Sequence, residues 1–247
     1  MTLVPLGLLT LLAACGRVPA AARWYTRADE RVLWYHPTSE KLVALTIDDG
    51  PSARTDSILD VLARHGARAT FFIIGAHVEG NEEVVRRLLR DGHEVANHTW
   101  LDVPSASLSP DTFQLHFTRT DSLLRSFGAR PVWFRPGSGR FNARMLELIC
   151  AHGSVPVLGD VYPFDTAIRS VGFAADFLLE RTRPGSIIIL HDGPDRAHRT
   201  ARVLAHALPI LSRAGYRVVT LTELARTAPA PKQLPRHPTP GTCTTEQ

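Results

Sequence analysis

Residues 43–51 read Val-Ala-Leu-Thr-Ile-Asp-Asp-Gly-Pro, an apolar stretch that ends on two adjacent carboxylates, Asp48 and Asp49. Two acids side by side repel unless positive charge holds them, so the pair predicts a cation nearby. An apolar run bounded by turn residues is how a strand buried on both faces of a parallel sheet reads. The carboxyl end of such a strand is where α/β folds place their chemistry. Taken alone, the dipeptide is a strand cap followed by an Asp-Gly turn. Other polar clusters along the chain change that balance.

One run ends Asn97-His98-Thr99-Trp100-Leu101-Asp102, and the four-residue spacing puts His98 and Asp102 on one face of a helical turn. Another ends Phe134-Arg135-Pro136-Gly137-Ser138-Gly139, where the glycines let backbone approach a ligand. A third ends Leu158-Gly159-Asp160 and continues to Asp165, and a fourth, Ser186 to Leu190, delivers His191 and Asp192. Singly, these are surface pairs, salt-bridge partners and turn residues. Gly137-Ser138-Gly139 with His191 and an aspartate invites a serine-esterase reading, but the G-x-S-x-G elbow is missing.

The elements that must position these groups follow from periodicity. Apolar runs at 42–47, 69–74, 93–97, 132–135, 154–158, 186–190 and 216–220 alternate with amphipathic stretches. Asn81 before Glu82-Glu83, Ser109-Pro110-Asp111 and Asn142 supply helix starts, and Gly92, Gly128 and Gly153 supply stops. Strand-helix repetition with short loops predicts parallel strands joined by right-handed crossovers. The expected fold is α/β: a distorted (β/α) barrel of about seven parallel strands in a single domain. Every polar cluster then falls, in order, at a strand end.

With that order established, the chain resembles the polysaccharide deacetylases, carbohydrate esterase family 4 (the NodB homology domain), over about residues 42–226. Thr46-Ile47-Asp48-Asp49-Gly50 is similar to its T-F-D-D-G motif, His98 to Asp102 to H-[ST]-x-x-H, Arg135 to Gly139 to R-x-P-x-G, and Ile189-Leu190-His191 to L-x-H. Three departures stand out. Asp102 replaces the second histidine, Gly137 and Ser138 replace a proline and an aromatic, and Asp165 follows Tyr162-Pro163-Phe164 without the usual tryptophan.

The resemblance implies a metal-dependent hydrolase that removes N-acetyl, or O-acetyl, groups from an envelope or extracellular polysaccharide. It implies one divalent ion (zinc, manganese or cobalt) on Asp49, His98 and Asp102. Asp48 would be the base, Arg135 its orienter, His191 the acid and Asp165 the holder of the imidazole. The Ser138 N–H beside Gly137 would face the oxyanion, and Ile189 and Leu190 would line the acetyl pocket. The alternative is a catalytically weak or inactive glycan-binding envelope protein on the same barrel.

Composition limits the other classes. The net charge of +4 comes from scattered arginines without a like-charged block, so no nucleic-acid partner is expected. Residues 1–15 read as an export leader ending Leu12-Ala13-Ala14-Cys15, which resembles a lipobox, with Cys15 as a lipidated membrane anchor. Residues 16–41 are the expected spacer and N-terminal arm, 42–226 the catalytic barrel and 227–247 a disordered Pro/Thr-rich tail. Cys150 lies in an apolar helix pattern and reads as a core residue, with no disulfide framework implied.

Overall fold

The computed structural model describes Asp29 and residues 31–228. The leader, Cys15, Cys243 and the tail from residue 229 lie outside the described residues. Seven parallel strands form: β1 (Leu42–Gly50), β2 (Thr70–Ile73), β3 (Glu94–Asn97), β4 (Trp133–Phe134), β5 (Val155–Pro156), β6 (Ile187–His191) and β7 (Arg217–Val219). Between and after them run α1 (Thr55–Arg64), α2 (Glu82–Arg90), α3 (Pro110–Ser126), α4 (Ala143–Ala151), α5 (Val171–Arg181), α6 (Ala197–Arg213) and α7 (Leu221–Ala225). All seven anticipated strands are present, as one domain.

The sheet order is β5-β4-β3-β2-β1-β6, with β7 beside the start of β1. The sheet curls into a half-barrel. Two isolated parallel bridges, Leu33–Val157 and Val161–Ile188, narrow the gap between its edges. The arm before β1 is therefore part of the wall: Val32, Leu33 and Tyr35 are buried, and Tyr35 Oη donates to the Pro184 carbonyl.

Side chains alternate across each strand, which splits the core in two. Val43, Leu45, Ile47, Phe71, Ile73, Val95, Ile188 and Leu190 pack outward against the helices. Leu42, Ala44, Phe72, Ala96, Trp133 and Ile187 form a second, inward cluster with Leu33, Val157 and Leu221. Glu94 plugs the amino-terminal end of the barrel. It accepts from Thr70 Oγ1 at 2.7 Å and Trp133 Nε1 at 3.1 Å, and it also pairs with Thr222 Oγ1.

The helix starts hold with one change. Ser109 and Asn142 cap α3 and α4 through Thr112 N and Met145 N. Asn81 precedes α2 but does not cap it, because its Nδ2 donates to the His77 carbonyl at 2.9 Å. Cys150 is a correction as well: it is half-buried at the end of α4 and disulfide-bonded, not a free core thiol. Among the described residues, no helix is long and apolar enough to cross a membrane.

Candidate active site

The inward alternation places the chemistry. Continuing each inner row to its carboxyl end gives Thr46 and Asp48 on β1, His98 after β3, Arg135 after β4, and Ile189 and His191 on β6. Asp48, His98 and Arg135 are buried, and the β1–β6 register sets Asp48 opposite His191.

Arg135 is the hub, and its side chain is only 2% exposed. Nη1 donates to Asp48 Oδ1 at 2.6 Å and Thr46 Oγ1 at 2.7 Å, and Nη2 donates to the Leu158 carbonyl at 2.9 Å. Its guanidinium lies 4.2 Å from the centroid of the Phe72 ring. Four constraints on one planar group leave Asp48 a single orientation. They place Asp48 Oδ2 4.0 Å from His191 Nε2.

His191 is fixed from the other side. Its Nδ1 pairs with Asp165 Oδ1 at 2.9 Å, and its backbone N–H donates to Asp165 Oδ2 at 2.9 Å. This arrangement leaves Nε2 facing Asp48. Burial opposes protonation of His191, but the Asp165 hydrogen bond and the Asp48 and Asp49 charges outweigh it and raise the pKa. Arg199 Nη2, on α6, donates to the Asp165 carbonyl at 3.1 Å, and the Tyr162 ring lies 5.6 Å from the imidazole.

Successive strand residues face opposite sides, so Asp48 and Asp49 could not share a site on a regular strand. A register irregularity in β1 after Ile47 and a left-handed Asp49 (φ 69°) bring the second carboxylate round. Asp49 Oδ1 then lies 3.4 Å from His98 Nε2, while His98 Nδ1 is bonded to the Arg135 carbonyl at 2.7 Å. Asp49 Oδ2 accepts from Arg196 Nη1 at 2.8 Å. Burial favours the neutral acid, yet His98, His191 and Arg196 bring the Asp49 pKa down to about 2.

The metal set implied by the resemblance is not assembled. Asp49 and His98 converge as two donors, but Asp102 is exposed, and no group of three metal-ligating side chains occurs among the described residues. The helical turn expected over 98–102 does not form. Thr99 is left-handed (φ 69°), with its N–H donating to Asn97 Oδ1 at 2.9 Å and its Oγ1 to the Leu101 carbonyl at 3.0 Å. Trp100 packs against Gly75, under the Arg119 guanidinium at 3.6 Å from its ring centroid. The chain is pinned at residues 99 and 100, and Asp102 is carried to the surface.

The substrate-side residues divide. Ser138 is exposed and left-handed (φ 59°) at the tip of the turn after β4. Gly137 is not available to a ligand, because its N–H donates to Ser105 Oγ at 2.7 Å. A Cβ there would stand 2.2 Å from the Val103 carbonyl, which accounts for glycine where the family has proline. Ile189 is half-buried on the inner side, against Gly159. Leu190 lies in the outer core and lines no pocket, since alternation forbids both from facing inward.

Sequence reasoning missed Arg196, and it named Tyr162 and Asp192 without giving either a role in the site. Asp192 locks the β1–α1 loop by accepting from Ser52 Oγ at 2.8 Å and from Thr55 Oγ1. The only signal for Arg196 was a cation demanded by paired acids, and nothing in its own surroundings marked it.

Residues 35–157 match the polysaccharide deacetylase family. A peptidoglycan-N-acetylglucosamine deacetylase of Bacillus cereus is 33% identical over 198 residues, covering 79% of this chain and 93% of its own. The crystal structure of the Bc1960 peptidoglycan N-acetylglucosamine deacetylase superposes with a TM-score of 0.75 at 29% identity, covering 80% of this chain and 94% of that one. A family 4 acetyl xylan esterase from Clostridium thermocellum, solved in complex with a cobalt ion, gives a TM-score of 0.68 at 32% identity over 74% and 89% of the two chains. The chain belongs to the polysaccharide deacetylase family, carbohydrate esterase family 4.

Proposed function

We propose that this protein hydrolyses the N-acetyl groups of an envelope or extracellular glycan, with Asp48 as base and His191 as acid. The observation that carries this reading is the facing pair itself. Asp48 Oδ2 and His191 Nε2 stand 4.0 Å apart, each held by its own buried partner, Arg135 and Asp165. As the water oxygen bonds to the acetyl carbon, Asp48 takes a water proton. When the carbon–nitrogen bond breaks, His191 Nε2 gives its proton to the departing nitrogen, leaving acetate and a free amine. Arg135 holds the Asp48 carboxylate in place through its 2.6 Å contact to Oδ1. The backbone N–H of Ser138 is the donor we assign to the oxyanion.

The substrate class follows from the relatives' names and from the rim of the site. Tyr162, Phe164, Phe177 and Phe173 lead away from His191 with ring centroids 4.9 to 6.1 Å apart, and Phe164 is 48% exposed. Exposed aromatic faces suit the apolar faces of pyranose rings. O-acetylated xylan is the nearest competing substrate. An envelope location with a lipid anchor at Cys15 completes the reading.

A weakly catalytic glycan-binding protein is the second reading, favoured by the exposure of Asp102. Acetate release separates the two, assayed on N-acetylated chitooligomers, peptidoglycan and O-acetylated xylan with the full chain. We expect release from at least one N-acetylated glycan. Binding without release from any of them would favour the second reading.

A further inference from the structure

We propose that Arg196 is the resident cation of this centre, seated on the Asp49 carboxylate that a divalent ion would use, and that it competes with such an ion. The inference rests on Asp49 and His98 being the metal-facing pair of the site proposed above. It does not depend on which bond the enzyme cleaves.

The charges at the strand ends are already matched by protein groups. Asp48 is paired with Arg135 at 2.6 Å, Asp165 with His191 at 2.9 Å, and Asp49 with Arg196 at 2.8 Å. An ion bound between Asp49 Oδ1 and His98 Nε2 would share its carboxylate with a guanidinium on the other oxygen. Like charges that close, in a largely buried site, disfavour each other.

The remaining donors do not compensate. Tight sites for zinc-like ions draw on three or four protein ligands, and this pocket offers two. Asp102 is exposed, and no group of three metal-ligating side chains occurs among the described residues.

Arg196 differs from Arg135 in one decisive respect. Its side chain is 34% exposed, it sits on the residue just before α6, and among the described residues Asp49 is the one hydrogen-bonding partner of its guanidinium. It is therefore displaceable, and an ion at high enough concentration can expel it. A divalent ion and Arg196 are alternative occupants of one carboxylate, with the protein's own cation favoured at low metal.

The test is metal binding, read without any activity assay. The full chain is stripped with chelator and titrated with zinc and with manganese by calorimetry, alongside Arg196→Met, Arg196→Gln and Arg196→Lys. Metal content of the untreated protein is measured in parallel. We expect the wild type to carry well under one equivalent of metal and to bind zinc weakly. Arg196→Met should tighten binding about 10- to 100-fold, the range over which groups bonded to a metal's ligands alter its affinity. Arg196→Gln, which removes the charge but keeps a donor, should change it in the same direction and serves if the Met variant does not fold. Arg196→Lys should stay weak.

A wild type that keeps a full equivalent of tightly bound metal would overturn the inference. So would neutral variants that bind no tighter than wild type. Acetate release by a metal-free wild type, or its absence, bears on the proposed function alone.

Discussion

Asp48 and Asp49 are chain neighbours, yet the protein treats them as opposites. Asp48 sits on the regular inner row of β1, and its partner Arg135 is buried and tied to Thr46, Leu158 and the Phe72 ring. Asp49 reaches the site only through a left-handed backbone, and its partner Arg196 is a third exposed. The first half is fixed by sheet geometry, which a substitution can break but hardly bend. The second half is set by loops, where one changed residue re-aims a side chain. The Asp102 departure falls in that adjustable half, and the proposed catalytic pair falls in the fixed one.

Removing the hub is the most severe way to break the contrast. Arg135→Met leaves Asp48 buried without its partner, which costs about 3–5 kcal/mol when one member of a buried pair is lost. Denaturant unfolding should show that loss together with a collapse of turnover. Arg196→Met should cost far less stability, since partly exposed pairs contribute about 0–1 kcal/mol.

The pH profile sharpens the fixed half. The His191 pKa is raised, so the proposed acid stays protonated to higher pH than an ordinary histidine. Activity should fall as pH rises through that raised value. The stability that His191 contributes is full below the unfolded histidine pKa and is lost over the same rise through the folded value. Asp165→Asn removes the carboxylate behind the shift, so its alkaline limb should move to lower pH. A limb that stays put would mean another group titrates there.

Smaller effects are expected at the rim and on the surface. Phe164→Ala and Phe173→Ala should raise KM several-fold for long oligomers while leaving kcat on a small aryl acetate near wild type. Asp102→Ala should change neither metal affinity nor turnover, and its stability should stay within about 0.5 kcal/mol, as for surface substitutions generally. A loss of metal binding in Asp102→Ala would mean the loop after β3 folds inward when metal is present.

The fold was legible because alternation and turn chemistry act locally. The Val43–Ile47 run, the Ser109 and Asn142 caps and the glycine stops each encode their own element. The fixed half of the site was legible for the same reason: Asp48, Arg135 and His191 are strand-end residues, and parity decides where they point. Parity also decides against Leu190, a point the motif resemblance obscured. The adjustable half could not be read this way. Spacing of four residues placed Asp102 beside His98 only if the backbone stayed helical, and the left-handed Thr99 with the anchored Trp100 prevents that. Arg196 comes from the far end of the chain, and only the fold brings it to Asp49.

The central claim is that Asp48 is the base, locked by Arg135 and facing His191. The direct measurement is steady-state acetate release from an N-acetylated chitooligomer by wild type and Asp48→Asn, with folding of both confirmed by thermal unfolding. Loss of a general base predicts a fall in kcat of about 10²- to 10⁴-fold with KM little changed. A folded Asp48→Asn variant that turns over at the wild-type rate would contradict the account.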